Sequence, residues 1–372
     1  MTEARLIIAA SARDADLYYA SRFRAPDPFP FFQVGRERVI IVSDLELGRA
    51  RSQAAVETVL PLRTYEDRAK GRVPQPTMLD AVEEALRERG IGRLLVPGSF
   101  PAEYVDKLRD RGFTLQVKEG IFFEERLTKS EAEVAWITEA LRVAEEAMAI
   151  AIQAIREAEI RGHALYRAGA PVTSEAVRRL IHHLLLDRDC IADHTIVAGG
   201  EHGSDPHHEG TGPLPAHAPL VIDIFPRSTR THYFGDLTRT VLRGRASTRV
   251  RQMYTAVLQA QEQAFSLIRD GADGAAIHQE VTALFEGLGF STGEANGRMQ
   301  GFFHGTGHGL GLEIHEPPRI GKRGAILRSG NVVTVEPGLY YPGDGGVRIE
   351  DVVVVTDTGC RNLTTFPKVL EV

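Results

Sequence analysis

The sequence predicts an α+β protein in two parts, an α/β domain over residues 1–127 and an α+β domain over residues 128–372. Strand-like and helical segments alternate through the first part, and a long amphipathic helix opens the second. A third observation divides the chain by chemistry, because none of its thirteen histidines precedes His163. We therefore expect the functional site in the second part.

The first part predicts a small doubly wound or mixed-sheet domain, because apolar runs alternate with helical stretches. Its glycine-containing turns lack both the GxGxxG and the GxxxxGK[ST] spacing, so nothing in it indicates a nucleotide site. We interpret it as a structural or substrate-gating domain. The strand-like runs are RLIIAA, RVIIVSD, RLLVPG and TLQVKEG, and the helical stretches are TMLDAVEEALRERG and AEYVDKLRDRG.

The second part begins with a helix-start signal, since Ser130 and Glu133 form an S-x-x-E capping box ahead of apolar residues at helical spacing. Further helical and β-type segments alternate after it, and they predict helices that cover an antiparallel sheet. The predicted helices lie at 173–187, 247–269 and 274–288, and the β segments at 218–225, 234–242, 300–315, 331–340 and 347–355.

Composition excludes several classes of function. The chain has 372 residues, 43% of them hydrophobic and 25% charged, with a net charge of −6 and no basic cluster, so neither nucleic acid nor a membrane surface is an expected partner. No apolar run is long enough for a membrane span. Two cysteines form no disulfide framework, and the N-terminus lacks a signal-peptide pattern, so we expect a cytoplasmic protein.

Charged residues interrupt the apolar β segments of the second part. Asp223 lies within LVIDIF, where an unpaired buried carboxylate would be costly. Together the segments supply four carboxylates and one imidazole, a ligand set that suits a pair of Mn²⁺, Co²⁺, Fe²⁺ or Zn²⁺ ions better than a structural zinc site. The candidate metal ligands are Asp223, Asp236, His308, Glu336 and Glu350.

A glycine-rich segment, HGTGHGLGLEIH, carries His304, His308 and His315, and its glycines argue against a helix. Period-two alternation places His304 and His308 on one face, with glycines that let a neighbouring backbone approach on the other. We interpret the remaining upstream histidines as satisfied core or surface residues, namely His163, His182, His183, His194, His217, His232 and His278.

Two neighbouring carboxylates compete for one position. Glu350 and Asp351 alternate along VRIEDVVVV, so only one of them faces the site, and the spacing does not decide which. An ion pair with Arg348 is the structural alternative for either residue. The proposed hairpin PRSTRTHY lets Asp223 and Asp236 face each other.

The order of IDIF, GDLTRT, HGTGHGLG, VEPG and RIED resembles that of the pita-bread metallopeptidases, a family that includes aminopeptidase P, prolidase and methionine aminopeptidase. The resemblance covers residues 128–372. The preceding α/β domain, creatinase-like in type, and the junction ERLTKSEAEVAWI are similar to the Xaa-Pro branch. The resemblance thus implies a pita-bread catalytic domain after a smaller N-terminal domain.

The resemblance also implies roles. Asp223 would bind one metal ion, Asp236 and Glu350 would bridge two, and His308 with Glu336 would complete the second site. The resemblance thus selects Glu350 over Asp351 as the metal ligand. A hydroxide bridging the ions would attack the scissile carbonyl, with Glu336 as proton carrier. We expect two divalent ions per chain, Mn²⁺ first, with Co²⁺, Zn²⁺ and Fe²⁺ as alternatives.

Further residues match substrate-facing positions of the family. His304 and His315 would orient the peptide and donate hydrogen bonds, and Arg348 matches an arginine near the metal cluster. His207 matches a Pro-His position upstream of the first aspartate, with His208 as the alternative. The resemblance implies a peptide substrate and a homodimer.

The predicted function is hydrolysis of the Xaa-Pro bond at the N-terminus of a peptide or in a dipeptide. Thirteen positions separate Asp223 from Asp236, and IDIF replaces the more usual IDxG, so substrate preference is open. The alternatives are a peptidase of the same fold without proline preference, an inactive pita-bread binding protein, and a metal-free creatinase-like hydrolase.

Overall fold

A computed structural model describes residues 2–372. The chain divides into two compact units, Met1–Arg126 and Leu127–Val372. Among the described residues, no helix has both the length and the apolar character needed to cross a membrane.

The first unit is built on a mixed sheet. Its strands are β1 (Thr2–Ala9), β2 (Phe29–Val34), β3 (Glu37–Val42), β4 (Thr58–Pro61), β5 (Ile91–Pro97) and β6 (Thr114–Lys118), and its helices are α1 (Ala15–Ser21), α2 (Asp44–Gln53), α3 (Leu62–Ala69), α4 (Met78–Glu88) and α5 (Ala102–Asp110). The strand order is β4-β3-β2-β1-β5-β6, in which β1, β2 and β3 are antiparallel neighbours and the other pairs are parallel.

Helices cover both faces of this sheet because its strands are apolar on both sides. Leu6 and Ile8 pack with buried residues of α3, α4 and α5, whereas Ile7 between them packs with α1 and α2. Successive strand residues point to opposite faces, so each face needs its own cover. The predicted α/β unit with a mixed sheet is confirmed.

The second unit mixes helices with short antiparallel strands. Its helices are α6 (Glu131–Arg156), α7 (Ser174–Asp187), α8 (Thr248–Leu267) and α9 (Gly274–Gly287), and short 3-10 helices lie at Glu124–Leu127, across the unit boundary, and at Gly200–Ser204. Its strands are β7 (Glu159–Arg161), β8 (Ala164–Arg167), β9 (Ala170–Pro171), β10 (Cys190–Ile191), β11 (Ile196–Gly199), β12 (Leu220–Ile224), β13 (Arg227–Ser228), β14 (Leu237–Val241), β15 (Gly293–Ala295), β16 (Arg298–Gln300), β17 (Gly307–Gly309), β18 (Glu316–Ile320), β19 (Val332–Val335), β20 (Gly338–Tyr341), β21 (Gly345–Arg348), β22 (Asp351–Val355) and β23 (Cys360–Asn362).

The start of α6 is fixed by the predicted capping box. The Ser130 hydroxyl accepts a hydrogen bond from the Glu133 amide, and the Glu133 carboxylate accepts one from the Ser130 amide at 2.9 Å. A cap of this kind stabilises a helix by about 1 kcal/mol. Apolar residues at helical spacing after it, including Val134, Ile137 and Leu141, are buried.

Two antiparallel sheets in this unit carry or flank the candidate metal ligands. Strand β12 lies between β11 and β14, and β19 lies between β17 and β22 in a sheet that β18 and β23 extend. Helices α8 and α9 pack an apolar cluster onto the second sheet, where Val257 and Val281 meet Val333 and Val353. The prediction of helices covering antiparallel sheet is confirmed.

The predicted β segment 300–315 is wrong in extent, because its interior is strand only at Gly307–Gly309. His304 lies outside that strand, so period-two alternation does not apply to it. The glycines serve close packing: a Cβ on Gly307 would lie 1.9 Å from the Thr334 carbonyl oxygen, and one on Gly309 would lie 2.4 Å from that of Pro317. Neighbouring backbones therefore approach on both sides of His308.

Candidate metal centre

The antiparallel β12–β14 hairpin carries both aspartates. Asp223 pairs with Thr238, and the isolated bridge between Arg227 and Phe234 continues the same register, which sets Phe225 opposite Asp236. Asp223 and Asp236 are thus diagonal neighbours on one face. They face each other across the hairpin, as expected, with an offset of two residues.

The second sheet presents both glutamates at one end of a ladder. Strands β19 and β22 pair as far as Val335 and Asp351, and Glu336 follows the first strand while Glu350 precedes the second. Two hydrogen bonds then join this end to the hairpin: the Glu350 amide donates to the Thr238 carbonyl at 3.1 Å, and the Thr238 hydroxyl donates to the Glu350 carboxylate at 2.7 Å.

Four side chains meet at this junction. Asp236, His308 and Glu350 are buried, and each offers a ligand atom within 4.8 Å of the others. The His308 Nε2 atom also lies 3.3 Å from a Glu336 carboxylate oxygen and 3.8 Å from one of Asp236. This spacing matches donors that surround a common ion.

Asp223 borders the same group through an arginine. Its Oδ2 accepts a hydrogen bond from Arg348 at 2.8 Å, while its Oδ1 is buried without a partner in residues 2–372. The ion-pair partner of Arg348 is therefore Asp223, and the alternative of an ion pair with Glu350 or Asp351 is wrong. Asp351 instead forms a buried ion pair with Arg239 at 2.8 Å, so Glu350 is the member of the pair that faces the cluster.

The carboxylates of Asp236, Glu336 and Glu350 would repel one another if all three were ionised. Burial, and then the nearby Glu350 and Asp223, raise the pKa of Asp236 well above its usual range, and burial with Glu336 does the same to the pKa of Glu350. Burial also raises the pKa of Glu336 to about 7. Divalent cations would offset this repulsion, and the hard oxygen donors, one imidazole and the orphaned Asp223 Oδ1 fit such ions.

His308 is held in the form that binds metals. Its Nδ1 lies 3.1 Å from the Gly309 carbonyl oxygen, which only accepts, so Nδ1 carries the proton and Nε2 presents a lone pair to the carboxylate group. Burial lowers the pKa of His308 to about 3, which keeps the ring neutral. A neutral imidazole with an anchored second nitrogen is the usual metal-ligand arrangement.

A cavity of about 1070 Å³ opens above the cluster. The structure brings every sequence-predicted site residue to its lining: Asp223, Asp236, His308, Glu336, Glu350, His207, His304, His315 and Arg348. His208, the alternative to His207, is outside that lining, because its ring stacks on His202 at 4.2 Å and its Nδ1 accepts a hydrogen bond from the Gly210 amide.

The two candidate substrate histidines differ in how their nitrogens are engaged. His304 Nδ1 faces the Gly305 carbonyl at 2.7 Å, and its Nε2 faces the Tyr340 hydroxyl at 2.9 Å, which itself accepts from Arg348. His315 has no hydrogen-bond partner among the described residues, and its ring stands edge-on to His308 at 4.4 Å. His315 is thus the one whose nitrogens are available to a ligand.

Sequence reasoning missed several lining or supporting residues. Tyr340 lies in the motif VEPGLYYP, but only the tertiary structure shows that its hydroxyl links Arg348 to His304. Three cations, Arg319, Lys322 and Arg323, line the same cavity, and their closeness in the sequence was the available signal. Phe225 lines it too, at the position where IDIF departs from IDxG.

His278 and His194, interpreted as satisfied histidines, also border the cavity. His278 is buried with its Nδ1 2.9 Å from the Thr306 hydroxyl, and His194 Nδ1 lies 2.7 Å from a Glu209 carboxylate oxygen. Both rings therefore have a protein partner, as that interpretation requires.

Comparison with known proteins shows the family to which the chain is similar. The model of metallopeptidase family M24 matches residues 135–357. The chain is 26% identical over 358 residues to the Xaa-Pro dipeptidase of Pyrococcus horikoshii, which covers 95% of this chain and 91% of that protein.

Solved structures share the fold along the whole chain. The X-Pro aminopeptidase from Thermotoga maritima superposes with a TM-score of 0.83 at 24% identity, covering 100% of this chain and 98% of that one. The prolidase from Pyrococcus horikoshii superposes with a TM-score of 0.80 at 25% identity, covering 99% and 95%. The predicted fold class and family resemblance are confirmed. With its family model matched across well over half of its length, the chain belongs to metallopeptidase family M24.

Proposed function

We propose that this chain is a dinuclear-metal-dependent exopeptidase that hydrolyses the Xaa-Pro bond, with dipeptides as its preferred substrates. The observation that carries the proposal is the buried group of Asp236, His308 and Glu350, whose ligand atoms lie within 4.8 Å of one another beside Glu336 and Asp223. The names of the Xaa-Pro dipeptidase and prolidase relatives support the proline preference.

In this proposal Asp223 would hold one divalent ion, His308 and Glu336 would hold a second, and Asp236 and Glu350 would serve both ions. Two divalent ions, when bound there, would supply an activated water and would stabilise negative charge on the scissile carbonyl. Glu336, at the edge of the cavity, carries the proton to the leaving nitrogen. His315 donates a hydrogen bond to the substrate, because its nitrogens have no hydrogen-bond partner within residues 2–372, and His207, which also lines the cavity, contributes to substrate binding.

His304 and Arg348 act mainly by holding neighbours in this proposal. Arg348 donates to Asp223, to the Tyr340 hydroxyl and to the Pro206 carbonyl, and so ties a metal ligand to the segment that carries His207. Both ring nitrogens of His304 are already engaged. Direct bonding of His304 to substrate would first break one of these contacts.

The preference for dipeptides rests on the charge of one cavity wall. Arg319, Lys322 and Arg323 are exposed there, and within residues 2–372 none of their side chains pairs with a carboxylate. A dipeptide bound over the metal cluster would end in a free carboxylate within reach of such a wall. A longer peptide would carry its carboxylate elsewhere, so the cations favour the shorter substrate.

A matched set of substrates tests both parts of the proposal. We expect protein loaded with Mn²⁺ to cleave Leu-Pro, and to cleave the Leu-Pro amide, Leu-Pro-Gly and Leu-Ala much more slowly. Equal cleavage of the amide would refute carboxylate recognition, and equal cleavage of Leu-Ala would refute proline preference. No hydrolysis of any peptide would refute the proposal and favour a binding protein or a metal-free hydrolase.

A peptidase without proline preference is the second candidate. Phe225 occupies the position where small residues are usual in IDxG, and thirteen positions separate Asp223 from Asp236. Phe225, which lies between the two aspartates in the sequence, lines the cavity. The Leu-Ala arm of the assay separates this candidate from the first.

We further propose Mn²⁺ as the native ion, a homodimer as the assembly and the cytoplasm as the location. In this proposal Met1–Arg126 is the creatinase-like domain and the second unit is catalytic. Metal analysis of protein purified without added metal tests the first point, and light scattering on the full chain tests the assembly. A monomer at micromolar concentration would refute the dimer.

A further inference from the structure

A glutamine lies in the apolar core beneath the metal cluster. Gln261 on α8 has no exposed surface and is surrounded by the buried apolar cluster that includes Val257, Ala264 and Val335. Its amide nitrogen donates to the Val335 carbonyl at 2.8 Å and to the Ile349 carbonyl at 3.2 Å. The side chain therefore bridges two separate segments of the chain.

Both acceptors lie one residue from a candidate metal ligand. Val335 precedes Glu336, and Ile349 precedes Glu350. The β19–β22 ladder ends at the pair of Val335 and Asp351, so the backbone beyond it has no further ladder bonds to fix the separation of the two glutamates. The Gln261 amide joins the two segments at this end.

The orientation of the amide follows from its partners. Carbonyl oxygens only accept, so the NH₂ group faces them and the Oε1 atom is turned away. That oxygen is buried and has no partner in the described part of the chain. A buried oxygen without a partner is unfavourable, so an apolar side chain would suit this place in the core better if packing alone mattered.

We infer that Gln261 is a positioning residue for the metal centre: its amide sets the distance between Glu336 and Glu350, and thereby the affinity of the chain for its second divalent ion. The inference rests on the proposed function, because it takes both glutamates as ligands. Residues that orient metal ligands without touching the ion commonly change metal affinity or activity by about 10- to 100-fold when replaced.

The test compares Gln261→Met with Gln259→Met. Methionine preserves the volume of glutamine and removes its donors, and Gln259 is exposed on the same helix. Metal-free full-length protein is titrated with Mn²⁺ by calorimetry, and kcat and KM for Leu-Pro are measured at saturating Mn²⁺. We expect one Mn²⁺ to bind about 10- to 100-fold more weakly to Gln261→Met, and Gln259→Met to match the wild type.

Gln261→Asn provides the second variant if Gln261→Met does not fold. It retains one amide but is shorter by a methylene, so it reaches at most one carbonyl, and we expect weakened Mn²⁺ binding again. A lower melting temperature with unchanged Mn²⁺ affinity in the folded variant would make Gln261 a purely structural residue and overturn the inference. Wild-type protein that hydrolyses Leu-Pro but binds Mn²⁺ no better than Gln261→Met would overturn the inference alone, whereas wild type that binds no Mn²⁺ would overturn the proposed function as well.

Discussion

At the scale of single residues, the chemistry of the cavity is decided by which polar atoms already have partners. His308 and His304 each have Nδ1 engaged by a backbone carbonyl, so their tautomers are fixed. His315, by contrast, has no hydrogen-bond partner within residues 2–372. The motif HGTGHGLGLEIH thus supplies a candidate metal ligand in His308, a ring with both nitrogens hydrogen-bonded in His304, and a ring available to substrate in His315.

Replacement of His315 should therefore affect turnover far more than metal binding. For His315→Ala we expect kcat to fall by about 10²- to 10³-fold, the usual loss when a donor to a developing oxyanion is removed. Metal content should be unchanged, measured by elemental analysis after dialysis. His208→Ala is the matched control, since His208 stacks on His202 away from the cavity lining. Loss of metal from His315→Ala would instead make His315 a ligand.

Replacement of Glu350 should abolish activity without loss of stability, whereas replacement of the adjacent Asp351 should lower stability. Glu350→Ala removes a candidate bridging ligand from a repulsive cluster, so we expect turnover to vanish while the metal-free protein melts no lower than wild type. Asp351→Ala leaves Arg239 buried without its carboxylate, and we expect a loss of about 3 kcal/mol in the free energy of unfolding. Activity assays and urea denaturation of both variants check the pair. Full activity in Glu350→Ala would refute the dinuclear mechanism.

At the scale of elements, the β12–β14 hairpin sets the wall beside the cluster. Its register puts Phe225 opposite Asp236 and on the same face as Asp223, next to Ile196 of β11, which pairs with Asp223. Phe225 and Ile196 both line the cavity. They form an apolar surface beside the cluster, and under the proposed function we expect it to contact the first residue of a bound peptide.

Phe225 should accordingly select for large apolar N-terminal residues. For Phe225→Ala we expect the ratio of kcat/KM for Leu-Pro over Ala-Pro to fall by about 10-fold, the lower end of what a few lost apolar contacts contribute. Metal content and the rate with Ala-Pro serve as internal controls. A ratio that rises would show that Phe225 obstructs large side chains and does not bind them.

At this scale, the sequence predicts the features that are encoded by neighbouring residues and misses those that depend on residues distant in sequence. Asp223 and Glu336 stand out because a charge within or beside an apolar strand is visible locally, and the capping box of α6 is encoded within four residues. The short extent of β17 and the bridging role of Gln261 were not predictable, because each depends on backbones distant in sequence. Register, more than residue type, was the missing information.

At the scale of the whole second unit, two similar halves supply the candidate ligands. In the first, α6 and α7 precede β11, β12 and β14; in the second, α8 and α9 precede β17, β19 and β22. In the first half Asp223 lies in the middle strand and Asp236 just precedes the last strand, and in the second half the glutamates flank the middle and last strands. The cluster therefore exists only where the halves adjoin, through bonds such as that of Glu350 to Thr238.

The stability of the metal-free protein should fall as the pH rises toward neutrality. Glu336 has a pKa of about 7 when folded, against an ordinary value of 4.5, so between these values the folded chain binds more protons than the unfolded chain. The free energy of unfolding then decreases with rising pH across this window. Urea denaturation from pH 4.5 to 7 measures the slope. Saturating Mn²⁺ should remove this decrease, and a slope that is the same with and without Mn²⁺ would contradict the assignment of Glu336 as a ligand.

Because the candidate ligands are divided between the two halves, a complete metal-binding centre can form only after both halves have folded. Asp223 and Glu336 are separated by more than a hundred positions, and neither half holds a full set of donors. A nascent or partly degraded chain with only one half folded would have no complete centre to capture ions. The proposed peptidase activity would therefore appear only after both halves have been synthesised and have folded.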